Sequence, residues 1–123
     1  MPKQCISASA VKGPYSPAVV YDGLVFVSGQ IPMDAATGAL VSGGLEEKAR
    51  RVFENVRGVL EAAGSSMDKI VKVTLFLDDM DNYARVNEIY AEYFGPDFPA
   101  RSCVEVARLP LDVPLEAEVI AFK

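Results

Sequence analysis

The chain has 123 residues, a formal charge of −5 and a pI of about 4.7, and 50% of its residues are hydrophobic. This length predicts one domain over residues 1–123, and the apolar content excludes a largely disordered chain. The acidic balance disfavours a nucleic-acid-binding protein, and no apolar run is long enough to span a membrane. We expect a cytoplasmic protein, because the N-terminal sequence has neither the apolar segment of a secretory signal nor the arginines of a transit peptide.

Cysteine and histidine content limits the chemistry of the chain. Two cysteines, Cys5 and Cys103, are too few for a disulfide framework, which favours a reducing compartment. Histidine is absent, so a Ser-His or Cys-His nucleophile pair and a histidine metal ligand are excluded.

The N-terminal third predicts β-structure. Residues 3–7 are compatible with a short strand, and residues 11–17 form a turn rich in glycine and proline. Residues 18–21 and 24–29 are apolar runs separated by an Asp-Gly pair, which is the strongest short signal for a β-hairpin. Residues 32–44 are predicted to be a loop.

The remainder predicts two helices and three strands. A helix spans residues 45–63, because its apolar residues recur at helical spacing and a glycine follows. Residues 69–77 form a nearly continuous apolar strand. A second helix at residues 82–94 ends before a Gly-Pro pair, and strands at 101–107 and 115–122 close the chain. This order predicts an α+β sheet with two helices.

The segment leading into the second helix is acidic. Its sequence LDDMDN, residues 77–82, faintly resembles a calcium loop but lacks the glycine and the distal glutamate of such a loop. The favoured interpretation is a helix start capped by Asp79 or Asp81. The apolar face of the helix that follows consists of Tyr83, Val86, Tyr90 and Phe94.

The number of helices has a consequence for the sheet. Two helices can cover only one face of a sheet with this many strands. The other face is also apolar, because Leu24–Ser28 and Ile70–Leu77 carry apolar residues at both alternating positions. A large uncovered apolar face is typical of an interface, so the sequence predicts a homo-oligomer packed through its sheets. The alternative is that residues 3–7 and the loop at 32–44 cover this face.

Three side chains in the last two strands are candidates for a site. Arg101 and Cys103 share one strand face, because alternate residues of a strand point the same way. An arginine at a subunit cleft is suited to hold a carboxylate through its two-pronged guanidinium. Glu116 lies in the apolar run LEAEVIAF. Each also has a plain structural interpretation: an ion pair for Arg101, a small buried hydrophobe for Cys103 and a surface charge for Glu116.

Six blocks of sequence, spread along nearly the whole chain, form a family pattern. They are GPYSP, VSGQIP, EAAGSSMDKIVKVT, VNEIYAEYF, and FPARSCVEVARLP followed by LEAEVIAF. In this order they resemble the RidA/YjgF family, the reactive intermediate deaminases, and the ARSCVEVARLP block is the specific one. Pro17 departs from the usual family pattern, which has glutamine at that position and reads GPYSQ.

The resemblance implies a fold, an assembly and a reaction. The fold is chorismate-mutase-like, with one mixed, mostly antiparallel sheet and two helices on one face, and the assembly is a barrel-shaped homotrimer with sites between subunits. The reaction is hydrolysis of enamines and imines, such as 2-aminoacrylate and 2-iminopropionate, to 2-keto acids and ammonia. These intermediates come from pyridoxal-phosphate-dependent dehydratases, to which the protein would be functionally coupled. No metal or organic cofactor is implied.

The resemblance also implies roles for individual residues. Arg101 would grip the substrate carboxylate, and Glu116 would activate the attacking water and then help protonate the leaving nitrogen. The substrate would be bound by the backbone or side chains of Tyr15, Ser28, Gly29, Asn87 and Cys103. Ser28 and Asn87 are the weaker members of this set, since their role is compatible with ordering the wall of the site alone.

Two other functions remain open from the sequence, and a third is a more distant option. A regulatory module would bind small carboxylates in the same cleft without turnover, and ammonia release from an imine would distinguish the two. An RNA-cleaving translation inhibitor is the other alternative, against which the absence of histidine and the net negative charge both count. Chorismate mutase activity is suggested by fold alone, which is weak evidence.

Overall fold

The structure is a computed structural model that describes residues 2–7, 11 and 13–123. All the predicted helices and strands are present. They are β1 (Gln4–Ile6), β2 (Ala18–Tyr21), β3 (Leu24–Gln30), α1 (Leu45–Ala62), β4 (Ile70–Leu77), α2 (Tyr83–Phe94), β5 (Ala100–Glu105) and β6 (Leu115–Phe122). Among the described residues, no helix is long and apolar enough to cross a membrane.

The hairpin between β2 and β3 forms where the Asp-Gly pair predicts it. Tyr21 pairs with Leu24, and the two residues between them both have left-handed backbones, with φ of 52° at Asp22 and 77° at Gly23. Positive φ at both central positions defines the turn whose twist matches that of paired strands.

The structure shows how the end of α1, the start of α2 and the turn at 11–17 compare with their predictions. Gly64, with φ of 83°, follows the end of α1 as expected. The Asp79 carboxylate accepts from the Asp81 backbone N–H, so Asp79 is the capping residue of the turn that leads into α2. In the predicted turn at 11–17, residue 12 lies outside the described residues, and the chain bends at residues 13–15.

The sheet is mixed and mostly antiparallel, in the order β1-β2-β3-β6-β4-β5. Among the described strands, only the pair β4 and β5 is parallel, because the helix α2 carries the chain back across the sheet between these strands. The last strand in the sequence, β6, is therefore central, and β5 lies at an edge. Glu116 consequently lies mid-sheet and Arg101 on an edge strand.

Both helices pack on one face of the sheet, as predicted. Alternate strand residues, such as Val73, Leu75 and Ala117, are fully buried against them. The ring of Phe53 in α1 meets that of Phe94 in α2 edge-on, with centroids 5.3 Å apart, which ties the helices together.

The opposite face of the sheet remains exposed in the described chain. Residues 3–7 do not cover it, because β1 instead extends the sheet as an edge strand paired with β2. Two large side chains of the face, Phe26 and Phe122, are 41% and 44% exposed, so the loop at 32–44 does not cover it either. The alternative cover considered for this face is therefore wrong.

Candidate active site

A cleft of about 770 Å³ opens beside the paired ends of β3 and β6. It gathers four of the predicted site residues, and two further acidic side chains, Glu54 and Glu118, also line it. The four predicted residues are Tyr15, Ser28, Gly29 and Glu116.

Gly29 lies directly against the carboxylate of Glu116. A Cβ atom added at Gly29 would lie 2.7 Å from the Cδ atom of Glu116, which is closer than real Cβ atoms approach other atoms. Gly29 lies where the pairing of β3 with β6 shifts its register, between Val27 and Gln30. Such irregularities, which include β-bulges, change the direction in which strand side chains point. The glycine therefore provides the space that the Glu116 carboxylate occupies.

The half-buried carboxyl group of Glu116 is electrostatically perturbed. Burial, together with the charge of Glu118, raises its pKa above the ordinary glutamate value. In the described part of the chain, no hydrogen-bond donor or cation within bonding distance stabilises its ionised form. A raised pKa is the direction in which enzymes shift carboxyl groups that act as general acid and base.

Ser28 anchors the turn that carries Tyr15. The Ser28 hydroxyl donates to the Ser16 carbonyl at 2.6 Å, and the Ser28 backbone N–H donates to the Pro17 carbonyl at 2.9 Å. Pro17 takes part through its carbonyl oxygen, so the missing N–H of a proline does not break this link. The turn stays attached to β3, and the half-exposed ring of Tyr15 lines the cleft.

The other three predicted site residues lie elsewhere in the same chain. Arg101 and Cys103 pair with Val73 and Leu75 of β4, so they belong to the face that the helices cover. Glu116 pairs with Phe76 of β4 and therefore belongs to the opposite face. Within one chain, Arg101 and Glu116 therefore lie on opposite faces of the sheet.

The guanidinium of Arg101 is held by aromatic side chains of α2. Its Cζ atom lies 4.7 Å from the ring centroid of Tyr90 and 5.5 Å from that of Tyr83, and its Nη2 donates to the Tyr83 hydroxyl at 3.1 Å. Asn87 is spaced four and three residues from these tyrosines, which places it on the same helix face. Arg101 makes no ion pair with any described residue, so the predicted structural ion pair is not found.

Cys103 is a partly buried side chain that packs against the core. Burial raises the pKa of its thiol, and the neighbouring charge of Arg101 acts in the opposite direction. A thiol with a raised pKa is a poor source of thiolate, the nucleophilic form.

The structure adds residues that the sequence did not single out. Glu118 is two residues from Glu116, so the two-residue period of a strand was enough to place it on the same face. No sequence pattern predicted the contacts of Tyr83 and Tyr90 with Arg101, because these contacts join the helix α2 to the strand β5. Both tyrosines were assigned only to the apolar face of α2.

Comparison with known proteins identifies the family. The sequence matches the endoribonuclease L-PSP family over residues 5–123. The chain belongs to this family, also called the RidA/YjgF family. The resemblance stated from the sequence blocks is thus confirmed.

Relatives in the RidA/YjgF family carry different names. A RutC family protein of Pyrococcus abyssi is 50% identical over 111 residues, which cover 90% of this chain and 87% of that protein. The human 2-iminobutanoate/2-iminopropanoate deaminase is 44% identical over 111 residues, covering 90% of this chain and 81% of the human protein.

Solved structures of RidA/YjgF proteins share the whole fold. Yeast Mmf1 superposes with a TM-score of 0.95 at 46% identity, covering 99% of both chains. The structure of Escherichia coli TdcF with bound serine superposes with a TM-score of 0.91 at 40% identity, covering 98% of both chains.

Proposed function

We propose that this RidA/YjgF-family protein hydrolyses small enamine and imine carboxylates, such as 2-aminoacrylate and 2-iminopropionate, to 2-keto acids and ammonia. The observation that carries the proposal is the Glu116 carboxyl group, which lies half-buried in the cleft directly against Gly29. Burial raises its pKa, which is consistent with an acid–base role. The names of the human and bovine relatives, both 2-iminobutanoate/2-iminopropanoate deaminases, support the same reaction class.

Two copies of the chain would complete the site. Arg101 and Glu116 project from opposite faces of one sheet, so one chain does not bring both to the same small substrate. The exposed apolar sheet face is suited to pack on other copies. In a homotrimer packed in this way, the β5 edge of one subunit would lie beside the Glu116 cleft of the next.

The reaction then follows from the chemistry of the two residues. Arg101 binds the carboxylate of the substrate and fixes its imine carbon beside Glu116. With the imine nitrogen protonated, the ionised Glu116 takes a proton from water as the water oxygen attacks that carbon, which gives a neutral carbinolamine. The protonated Glu116 then gives its proton to the amine nitrogen, and ammonia leaves as the hydroxyl proton returns to Glu116 and the C=O bond of the keto acid forms. The ammonia takes up that proton as ammonium, which returns Glu116 to its ionised form. An enamine first becomes the imine by protonation of its terminal carbon.

The remaining predicted residues would shape the pocket. The backbone near Gly29 and Cys103 would contact the carboxylate and the imine, and Tyr15 would close the cleft. Ser28 would act indirectly, since its hydroxyl proton is used in the bond to Ser16. Asn87 would line the wall on the side of Arg101.

RNA cleavage is the second candidate function, because the family is named after an endoribonuclease. Of the described residues that line the cleft, three are glutamates and one is an arginine, namely Glu54, Glu116, Glu118 and Arg51. This charge balance repels a phosphate backbone, and the chain has no histidine for acid–base cleavage. Salt-sensitive binding and cleavage of RNA, lost in Glu116 variants, would support this candidate instead.

The direct test couples the protein to a serine/threonine dehydratase that generates the imine in place. We expect the release of keto acid and ammonia to accelerate in proportion to the protein concentration. A protein that binds pyruvate but leaves the release rate at its uncatalysed value would be a carboxylate-binding module, contrary to the proposal.

The assembly gives the first specific prediction. Light scattering at micromolar concentration is expected to give three times the 13.3 kDa mass of the chain. Phe26→Lys, which places a charge on the exposed apolar face, is expected to shift the protein towards smaller species and to lower activity with it. Leu40 is as exposed as Phe26 but lies in a loop, so Leu40→Lys is the matched control. A monomer mass for the wild type would contradict the shared site.

The second prediction concerns the thiol beside the arginine. Cys103→Ser is expected to keep most of the activity, with a loss of no more than about fivefold, because the step needs water rather than a covalent intermediate. Steady-state ammonia release by the folded variant measures this. Near-complete loss of activity in a folded, correctly assembled variant would give the thiol a chemical role.

A further inference from the structure

We propose that Tyr83 and Tyr90 are positioning residues that fix the guanidinium of Arg101 and leave only one of its two-pronged edges free for a carboxylate. This inference rests on the proposed role of Arg101 in substrate binding. It concerns how the arginine is oriented before the substrate arrives.

Tyr90 provides a rigid platform for the guanidinium. The residue is only 5% exposed, and its ring stacks on that of Phe94 with centroids 4.1 Å apart. The Cζ atom of Arg101 lies 4.7 Å from the Tyr90 ring centroid, within the range of a cation–π interaction. Because the platform is part of the core, it restricts where the guanidinium can lie.

The platform acts through the ring and not through the hydroxyl of Tyr90. The buried hydroxyl oxygen has no hydrogen-bond partner among the described residues. Burial raises the pKa of Tyr90 to about 12, so the hydroxyl stays neutral. A phenylalanine at this position therefore keeps the platform and loses no hydrogen bond.

Tyr83 fixes the rotation of the guanidinium about this platform. The Nη2 atom of Arg101 donates to the Tyr83 hydroxyl at 3.1 Å. An arginine has two edges that can grip a carboxylate with two parallel bonds, Nε with Nη2 and Nη1 with Nη2. Nη2 carries one hydrogen for each edge, so the bond to Tyr83 removes one edge and leaves the other.

A single free edge defines one orientation of the bound substrate. With both edges available, the carboxylate would bind in two ways, of which only one places the imine carbon beside Glu116. The second way would be unproductive. Unproductive binding has a kinetic signature, since it lowers kcat and KM by the same factor and leaves kcat/KM unchanged.

The test compares Tyr83→Phe, Tyr90→Phe and Tyr90→Leu, with 2-iminopropionate as substrate and pyruvate as a binding probe in calorimetry. Tyr83→Phe is expected to lower kcat and KM together, by about twofold or more, and to tighten pyruvate binding. Tyr90→Leu is expected to weaken pyruvate binding by about tenfold, whereas Tyr90→Phe, which keeps the ring, is expected to weaken it far less.

Several results would overturn the inference. They are a Tyr83→Phe variant with unchanged kcat and KM, one with a raised KM, or a Tyr90→Phe variant that binds pyruvate as weakly as Tyr90→Leu. Tyr83 is 40% exposed, so its variant is expected to fold even if Tyr90→Leu does not. If the wild type releases no ammonia, the proposed function fails by itself. The inference is then tested by pyruvate binding alone. Tighter binding by Tyr83→Phe would support it, and unchanged or weaker binding would overturn it.

Discussion

Replacing Arg101 with lysine is expected to lower kcat/KM for carboxylate-bearing imines at least tenfold, with fold and assembly retained. A guanidinium binds both carboxylate oxygens at once, whereas an ammonium is a compact charge on a flexible chain. Lysine keeps the positive charge and loses the planar group that packs on Tyr90 and bonds to Tyr83. Removing the contact altogether with alanine is expected to cost roughly 2–5 kcal/mol of transition-state stabilisation.

The matched control is another arginine over a tyrosine ring. The Cζ atom of Arg57 lies 5.7 Å from the ring centroid of Tyr93, and both residues line a second pocket that shares no residue with the Glu116 cleft. Arg57→Lys is expected to leave kcat/KM unchanged, since this pair lies apart from the predicted site. An Arg101→Lys variant that hydrolyses 2-iminopropionate as fast as the wild type would make the arginine a structural residue and remove the basis for its role.

Glu116→Gln is expected to lower kcat by roughly 100- to 1,000-fold, the usual worth of a positioned acid–base group. Glutamine has nearly the same size, so it keeps the packing beside Gly29, but it cannot take a proton from water. Single-turnover release of ammonia at saturating substrate measures the loss. A variant that retains a tenth or more of the wild-type kcat would exclude Glu116 as the acid–base group.

The same residue links activity to pH. Because the folded-state pKa of Glu116 is raised, kcat/KM is expected to rise with pH through that raised value as the general base forms. Glu118→Gln is the control, and it removes the neighbouring charge that contributes to the raised pKa. Its rate profile is expected to shift to lower pH with the maximal rate largely kept.

Stability is expected to move in the opposite direction to activity. A raised folded-state pKa means that the stability contribution of Glu116 is present below its ordinary pKa and is lost as pH rises through the folded value. Glu116→Gln is therefore expected to be more resistant to urea than the wild type at pH 8, and the difference is expected to vanish in acid. Equal stability at pH 8 would indicate that the ionised carboxylate is well solvated.

Local structure was predictable because the signals for it are local. The Asp-Gly pair fixed the β2–β3 hairpin, and helical spacing with a closing glycine fixed α1. The sheet order was not predictable in this way, since the final strand inserts between β3 and β4 and no short-range pattern specifies such a partner. That insertion decides that Glu116 is central and Arg101 peripheral.

The candidate site was predictable only in part, for the same reason. The shared face of Arg101 and Cys103 followed from the two-residue period of one strand. The opposite orientation of Glu116 depends on the register of β6 against β4, which links residues far apart in the sequence. The tyrosines around Arg101 also remained hidden, because their spacing in α2 is equally typical of a helix face that packs on a core.

The separation of Arg101 and Glu116 on two faces of one sheet has a genetic consequence under the proposed assembly. Each cleft would combine the arginine of one gene copy with the glutamate of another. An allele that lacks the arginine and an allele that lacks the glutamate would then complement each other. In a mixed assembly, some clefts would receive the intact residue from each parent and regain turnover, although neither product is active alone.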